Sequence, residues 1–207
     1  MVSKRIITYF TIALLASVGC KQSNTVINEN HKSNETTFEQ VVFDVLQAYN
    51  NQDEKKINKF INQKYKIAVL FRRGASDNIG FSDSIQFSQP IPEYLPYDYG
   101  KATYDGTINY EKLPEFDCDK DQWNKPVGIY CDTITIDPSR SQIAKNEKKY
   151  EINDWPDSTI KQIEETEKSS RKVIVVGKDG GTFIFFLTKE NKQWYLTGID
   201  RFEACSA

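Results

Sequence analysis

The chain has 207 residues, a net charge of −2, 39% hydrophobic residues and 13% aromatic residues. That balance is too aromatic for a disordered chain, and it lacks the basic excess of a nucleic-acid binder. The length suits one domain with room for an insertion.

Lys4 and Arg5 precede an uncharged apolar run over residues 6–19, closed by the small residue Gly19. A membrane-crossing helix needs about 20 residues, so this shorter run reads as an export signal. Residues 1–19 hold two basic groups and no acid, which leaves the remaining 188 residues at −4. Ser17-Val18-Gly19-Cys20 resembles the lipobox of bacterial lipoproteins, with Ser17 where that family prefers Leu or Val. The resemblance implies a cut between Gly19 and Cys20, a diacylglycerol on the Cys20 thiol, and an acyl chain such as palmitate on its amine. Several chains, each adding ~0.8 kcal/mol per buried CH₂, hold a protein firmly on a membrane. The expected partner is thus the membrane itself, and the expected place is a bacterial cell envelope. An ordinary cleaved signal and an uncleaved anchor are the competing readings.

Residues 21–35, KQSNTVINENHKSNE, read as a polar tether that carries the only histidine, His31. Thr36-x-x-Glu39 reads as a capping box. Phe38, Val41, Val42, Val45, Leu46 and Tyr49 then mark one apolar helical face, ended by Asn50-Asn51. Asp53 can cap a second helix bearing Ile57, Phe60 and Ile61. Residues 65–73 alternate as a strand. Residues 74–115 hold four of the seven prolines and five of the 11 tyrosines. They read as a long ordered excursion with short strands near 84–87 and 107–110. A strand is expected over 127–136 and helices over 141–150 and from Trp155-Pro156-Asp157 to Lys168. KVIVV, TFIFFLT and QWYLTGIDRF end the chain as three consecutive strands, the first two joined by a tight turn at Asp179-Gly180-Gly181.

This order predicts an α+β domain over residues 36–207, with N-terminal helices packed on a curved antiparallel sheet. Over residues 36–204 the order resembles the cystatin-like and nuclear transport factor two-like folds. The ending WYLTGIDRFEACSA resembles the last strand of small bacterial envelope lipoproteins of that type. Such folds host enzymes, binders and scaffolds alike.

An exported chain invites disulfides. With Cys20 lipidated, Cys118, Cys131 and Cys205 remain, so one pair and one thiol are expected. Cys118–Cys131 would close a short loop, and Cys118–Cys205 would pin the C-terminus to the middle of the chain. The sequence leaves both open.

Asp117, Asp119 and Asp121 alternate as in a calcium loop, but Gln122 and Gly128 stand where that loop wants Gly and Glu. A hairpin tip fits better, and no metal or cofactor is expected. Arg72-Arg73 ends a strand, where solvation competes with anion binding. A Ser-His-Asp set is not available from one tether histidine, and no catalytic residue is identified. Tyr94, Tyr97 and Tyr99 offer flat faces for a glycan or an envelope protein, or they strap the excursion onto the sheet. Two functions follow: a non-catalytic, membrane-anchored binding lipoprotein, or an enzyme using Asp, Glu or Tyr as acid and base in a cone-shaped cavity.

Overall fold

Thr37 opens the first helix. Its hydroxyl accepts the Gln40 N–H at 3.2 Å, so the cap falls one residue later than the Thr36 box predicts. In this computed structural model the described residues are 36–97, 103, 106–178, 181–202 and 205. Gly19, Cys20, His31 and Tyr99 lie outside them, as does most of the 179–181 turn. One compact unit covers Asn34–Ala207.

Helix α1 (Phe38–Asn50) buries the face that its apolar spacing marks: Phe38, Val41, Val42, Val45, Leu46 and Tyr49. Asp53 caps α2 (Glu54–Ile57) through the Lys56 N–H, and a 3₁₀ turn over Asn58–Phe60 follows. Strand β1 (Ile67–Arg73) starts later than the alternation predicts. Lys66 sits at φ 56°, a left-handed conformation that no strand accepts.

Two corrections fall in the excursion. Gly74, at φ 63°, turns the chain directly into a strand absent from the sequence reading, β2 (Ser76–Ser82). Its residues are mostly polar and only Ile79 is buried, so its pattern is weak. The strand expected near 84–87 does not form. The Asn58 side chain takes the role of a neighbouring strand: it accepts the Ile85 N–H at 2.7 Å and donates to the Ile85 carbonyl at 2.9 Å. Strand β3 (Ile108–Tyr110) lies where 107–110 predicts it. The strand predicted over 127–136 is only β6 (Gly128–Cys131), because the Asp132 carboxylate caps the Ile134 and Thr135 N–H groups in a turn. Between them a small hairpin pairs β4 (Phe116–Asp117) with β5 (Gln122–Trp123).

Helices α3 (Ser139–Lys149) and α4 (Asp157–Lys168) precede β7 (Ser170–Val176), β8 (Thr182–Glu190) and β9 (Gln193–Asp200). The domain is α+β, with a seven-stranded sheet ordered β2-β1-β9-β8-β7-β6-β3. The sheet is mixed rather than purely antiparallel. The last strand returns beside the first, so β9 runs parallel to β1, and β3 runs parallel to β6.

Both sheet faces are covered. The inner face packs Ile67, Val173, Val175, Phe183 and Phe185 against α1 and α2. The outer face packs Ala68, Leu70 and Phe186 against α3 and α4 through Ile143, Ala144, Ile160 and Ile163. Beyond them Tyr130, Ile174 and Val176 lie under Trp123 of the small hairpin.

A register shift between Phe186 and Leu187 sets the chemistry of the outer face. It allows Leu196 and Ile199, an odd number of residues apart, to enter the same inner core. The intervening Thr197 and Gly198 turn outward. A Cβ on Gly198 would stand 2.9 Å from Cδ2 of the fully buried Phe186. Gly198→Ala is therefore expected to lower stability by about 1–3 kcal/mol, read from urea unfolding. No loss would mean that the Phe186 ring has room to move.

Candidate functional site

The outer face carries an unusual amount of buried polarity. Thr197 on β9, Thr188 on β8 and Ser170 on β7 form a hydroxyl ladder across three strands. Each step is a hydrogen bond of 2.6 Å. Arg140 of α3 clamps the ladder at both ends, donating from Nη1 to Thr197 at 3.2 Å and from Nη2 to Ser170 at 2.8 Å. Its guanidinium lies 4.7 Å from the Phe186 ring centroid.

Arg140 is only 2% exposed, and its Nε has no hydrogen-bond partner among the described residues. Glu167 of α4 is its nearest counter-charge, at 3.9 Å. The Glu167 Oε1 accepts the Ser141 N–H at 2.9 Å, which ties α4 to the start of α3. Burial pulls the Arg140 pKa down to about 10, with Glu167 and Asp137 opposing. The side chain stays cationic at neutral pH.

Arg140 and Thr197 open onto a cavity of about 280 Å³ between α4 and the sheet. The turn before β1 supplies Lys64, Tyr65 and Lys66, and the strands supply Ala68 and Phe81. Helix α4 supplies Thr159, Gln162, Ile163 and Thr166. Trp155 completes the wall. Its indole donates to Oε2 of the buried Glu147 at 2.6 Å, while Oε1 of that carboxylate accepts the Ile79 N–H at 3.0 Å. Trp155 is thus fixed to both α3 and β2. At the mouth, the Gln162 amide donates to the Lys64 carbonyl at 3.3 Å. Small, mostly apolar concavities with a few convergent polar groups are the usual form of ligand sites.

A second buried charge cluster lies on the same sheet face. Lys172 is held between Asp137 at 3.0 Å and Asp200 at 3.3 Å. Burial pushes the Asp200 carboxyl above its ordinary pKa despite Lys172. Burial also works against the Lys172 ammonium, yet Asp200 and Asp137 overcome it and its pKa is raised. None of the three lines the cavity.

The tyrosine loop divides. Tyr97 is 2% exposed, and its ring is edge-on to Tyr49 and Phe87. The guanidinium of Arg201 lies 4.3 Å from its centroid and donates to the Leu95 and Pro96 carbonyls. Tyr97 is therefore a strap onto the sheet. Tyr94 is 56% exposed, with its hydroxyl donating to the Arg72 carbonyl at 2.5 Å. Tyr99 lies outside the described residues.

Cys118, on the β4–β5 turn, is joined to Cys205, which settles the pairing the sequence leaves open. Cys131 is a free thiol with 0% exposure, and burial raises its pKa to about 11. A thiol reagent is expected to leave Cys131 unmodified in the folded protein at pH 8 and to modify it after unfolding. Rapid labelling of the folded protein would contradict that burial.

Asp117, Asp119 and Asp121 sit on the small hairpin and its turn. The Asp117 carboxylate accepts the Asp119 and Lys120 N–H groups and pairs with the Lys120 ammonium. Among the described residues no cluster of three His, Cys, Asp or Glu side chains is placed to hold a metal. Arg72 is paired with Asp77 at 2.8 Å, while Arg73 is exposed.

Sequence reasoning missed Arg140, Thr197, Trp155 and Glu167 as a set. Only the Trp-Pro start of α4 gave a local signal, and it marked a helix boundary. Protein-family models, curated proteins and solved structures give no match to this chain.

Proposed function

We propose that this chain is a membrane-anchored lipoprotein of a bacterial envelope, whose α+β domain binds a small ligand without transforming it. The observation that carries the binding reading is the cavity under α4, walled by Trp155, Phe81 and Ile163, with the buried Arg140 in its lining. The lipobox-like Ser17-Val18-Gly19-Cys20 supports the anchor. The N-terminal helix packed on the sheet supports the cystatin-like or nuclear transport factor two-like reading of the domain, and exposed Tyr94 supports a glycan or envelope protein as a partner.

An acid–base enzyme is the second reading. Asp200 favours it, as a buried carboxyl with a raised pKa. Its partner Lys172 and its place outside the cavity lining make a structural ion pair the simpler account.

The intact mass of detergent-extracted protein tests the anchor. The expected mass begins at Cys20 and includes acyl chains. A mass without lipid would remove the membrane from the proposal and leave the binding domain.

A further inference from the structure

The polar groups that line the cavity under α4 are already committed within the protein. Lys64 pairs with Glu190, and Lys66 pairs with Asp83. Arg140 donates to Thr197 and Ser170, and its buried Nε lies beside Glu167 at 3.9 Å. The Trp155 indole is held by Glu147, and the Gln162 amide donates to the Lys64 carbonyl. The Thr166 hydroxyl donates to the Gln162 backbone carbonyl at 2.8 Å. Each cation in the lining thus has a carboxylate of its own, and no carboxylate lines the cavity to meet a cation. The half-buried Thr159 hydroxyl makes no hydrogen bond among the described residues. The rest of the wall is apolar, from Ala68, Phe81, Trp155 and Ile163. Phe81 and Trp155 meet edge to face, with ring centroids 5.6 Å apart, and form an aromatic corner.

Resting on the binding reading above, we propose that the ligand is a small uncharged molecule with a single-ring apolar body and one neutral polar tip, such as a hydroxyl. The ring lies in the corner of Phe81 and Trp155, against Ile163, and the tip meets the Thr159 hydroxyl. Three features select this class. The first is charge. A charged ligand would give up its hydration and find every ionic partner in the wall already engaged, which makes its burial costly. The second is water. A held water needs about two to four polar partners, and a wall whose polar groups are committed offers few. Poorly held water is displaced at a gain by an apolar group. The third is shape. Aromatic faces and edges pack favourably on another ring. The volume, about 280 Å³, sits just below the range of about 300–1,000 Å³ typical of drug-sized ligands, so the body is short.

The pocket therefore discriminates by charge in both directions. An anion and a cation on the same ring lose binding for the same reason, because neither finds a free counter-charge. A pocket tuned to one sign of charge would separate the two instead.

The test is calorimetric titration of the full chain in detergent at two temperatures, with detergent-only blanks that account for uptake of each probe by the micelles. The probes are benzyl alcohol, benzoate and benzylammonium, which share a ring and differ in charge. Benzyl alcohol is expected to bind at least about tenfold more tightly than either ion. Thr159→Phe, which fills the cavity and removes the free hydroxyl, is expected to weaken benzyl alcohol by about tenfold or more. The comparison of the three probes on the wild type stands on its own should that variant fold poorly. Benzoate or benzylammonium binding as tightly as the alcohol would overturn the neutral-ligand proposal and leave the binding reading standing. An unchanged affinity for the alcohol in folded Thr159→Phe would overturn its placement beside Thr159. No heat from any of the three at millimolar concentration, at either temperature, would overturn both the proposal and the reading beneath it, since burial of an apolar ring changes the heat capacity and cannot be silent at both.

Discussion

Replacing Arg140 with methionine is expected to lower the unfolding free energy by about 3–5 kcal/mol. Methionine fills much of the same volume, so the loss is electrostatic rather than a cavity effect. It would leave Glu167, 3% exposed, without its nearest buried counter-charge. It would also remove both donors that end the Ser170–Thr188–Thr197 ladder. A second substitution separates these causes. Arg140→Met with Glu167→Gln removes the orphaned charge and keeps an amide oxygen for the Ser141 N–H. That double variant is expected to recover a kilocalorie or more of the loss, because breaking one side of a buried pair costs more than removing both. Urea unfolding of the three proteins reads the result. A loss under about 1 kcal/mol in the single variant would mean that Glu167 is solvated by water entering the cavity.

Loss of the Cys118–Cys205 disulfide is expected to cost about 4 kcal/mol. The bond closes a loop with a sequence separation of 87, and in the chain-entropy model long loops restrict the unfolded chain most. In a protein of this size each kcal/mol moves the melting temperature by about 2–4 °C, so the fall is roughly 10 °C or more. The bond joins the small β4–β5 hairpin to the chain after β9, so the hairpin is expected to loosen first. Cys118→Ser with Cys205→Ser, compared by calorimetry with the wild type, gives the number without a reductant. An unchanged melting temperature would mean that the unfolded chain is already compact enough to hold these two ends together.

Much of this fold is legible in the sequence where one element solves its own packing. Helix α1 announces its buried face by spacing, and β7, β8 and β9 announce themselves by apolar runs. Features that depend on a distant partner are not legible. The parallel pairing of β9 with β1 joins the two ends of the domain, and nothing local to either strand specifies it. Strand β2 is polar because it relies on α3 for cover, through Ile79 and the Glu147 carboxylate. The site is the hardest case. Arg140 is one basic residue in the polar run SRSQIAKNEKK, indistinguishable there from a solvated side chain. It becomes a buried cation only because the β8–β9 bulge turns Thr197 outward and α4 brings Glu167 alongside. The tyrosine-rich stretch shows the reverse: a composition that attracts a binding reading, with Tyr97 serving as a strap under Arg201.

The most direct measurement of the central claim, that a ligand enters the cavity under α4, is a titration with benzyl alcohol followed at the tryptophan indoles. The chain has three tryptophans, and only Trp155 lines the cavity. In a ¹H–¹⁵N spectrum the Trp155 indole signal is expected to shift, while those of Trp123 and Trp194 stay in place. Thr159→Phe, which places a ring in the cavity from α4, is expected to suppress the shift. A response at Trp123 or Trp194 in place of Trp155, or an undiminished Trp155 response in Thr159→Phe, would contradict the assignment of the site.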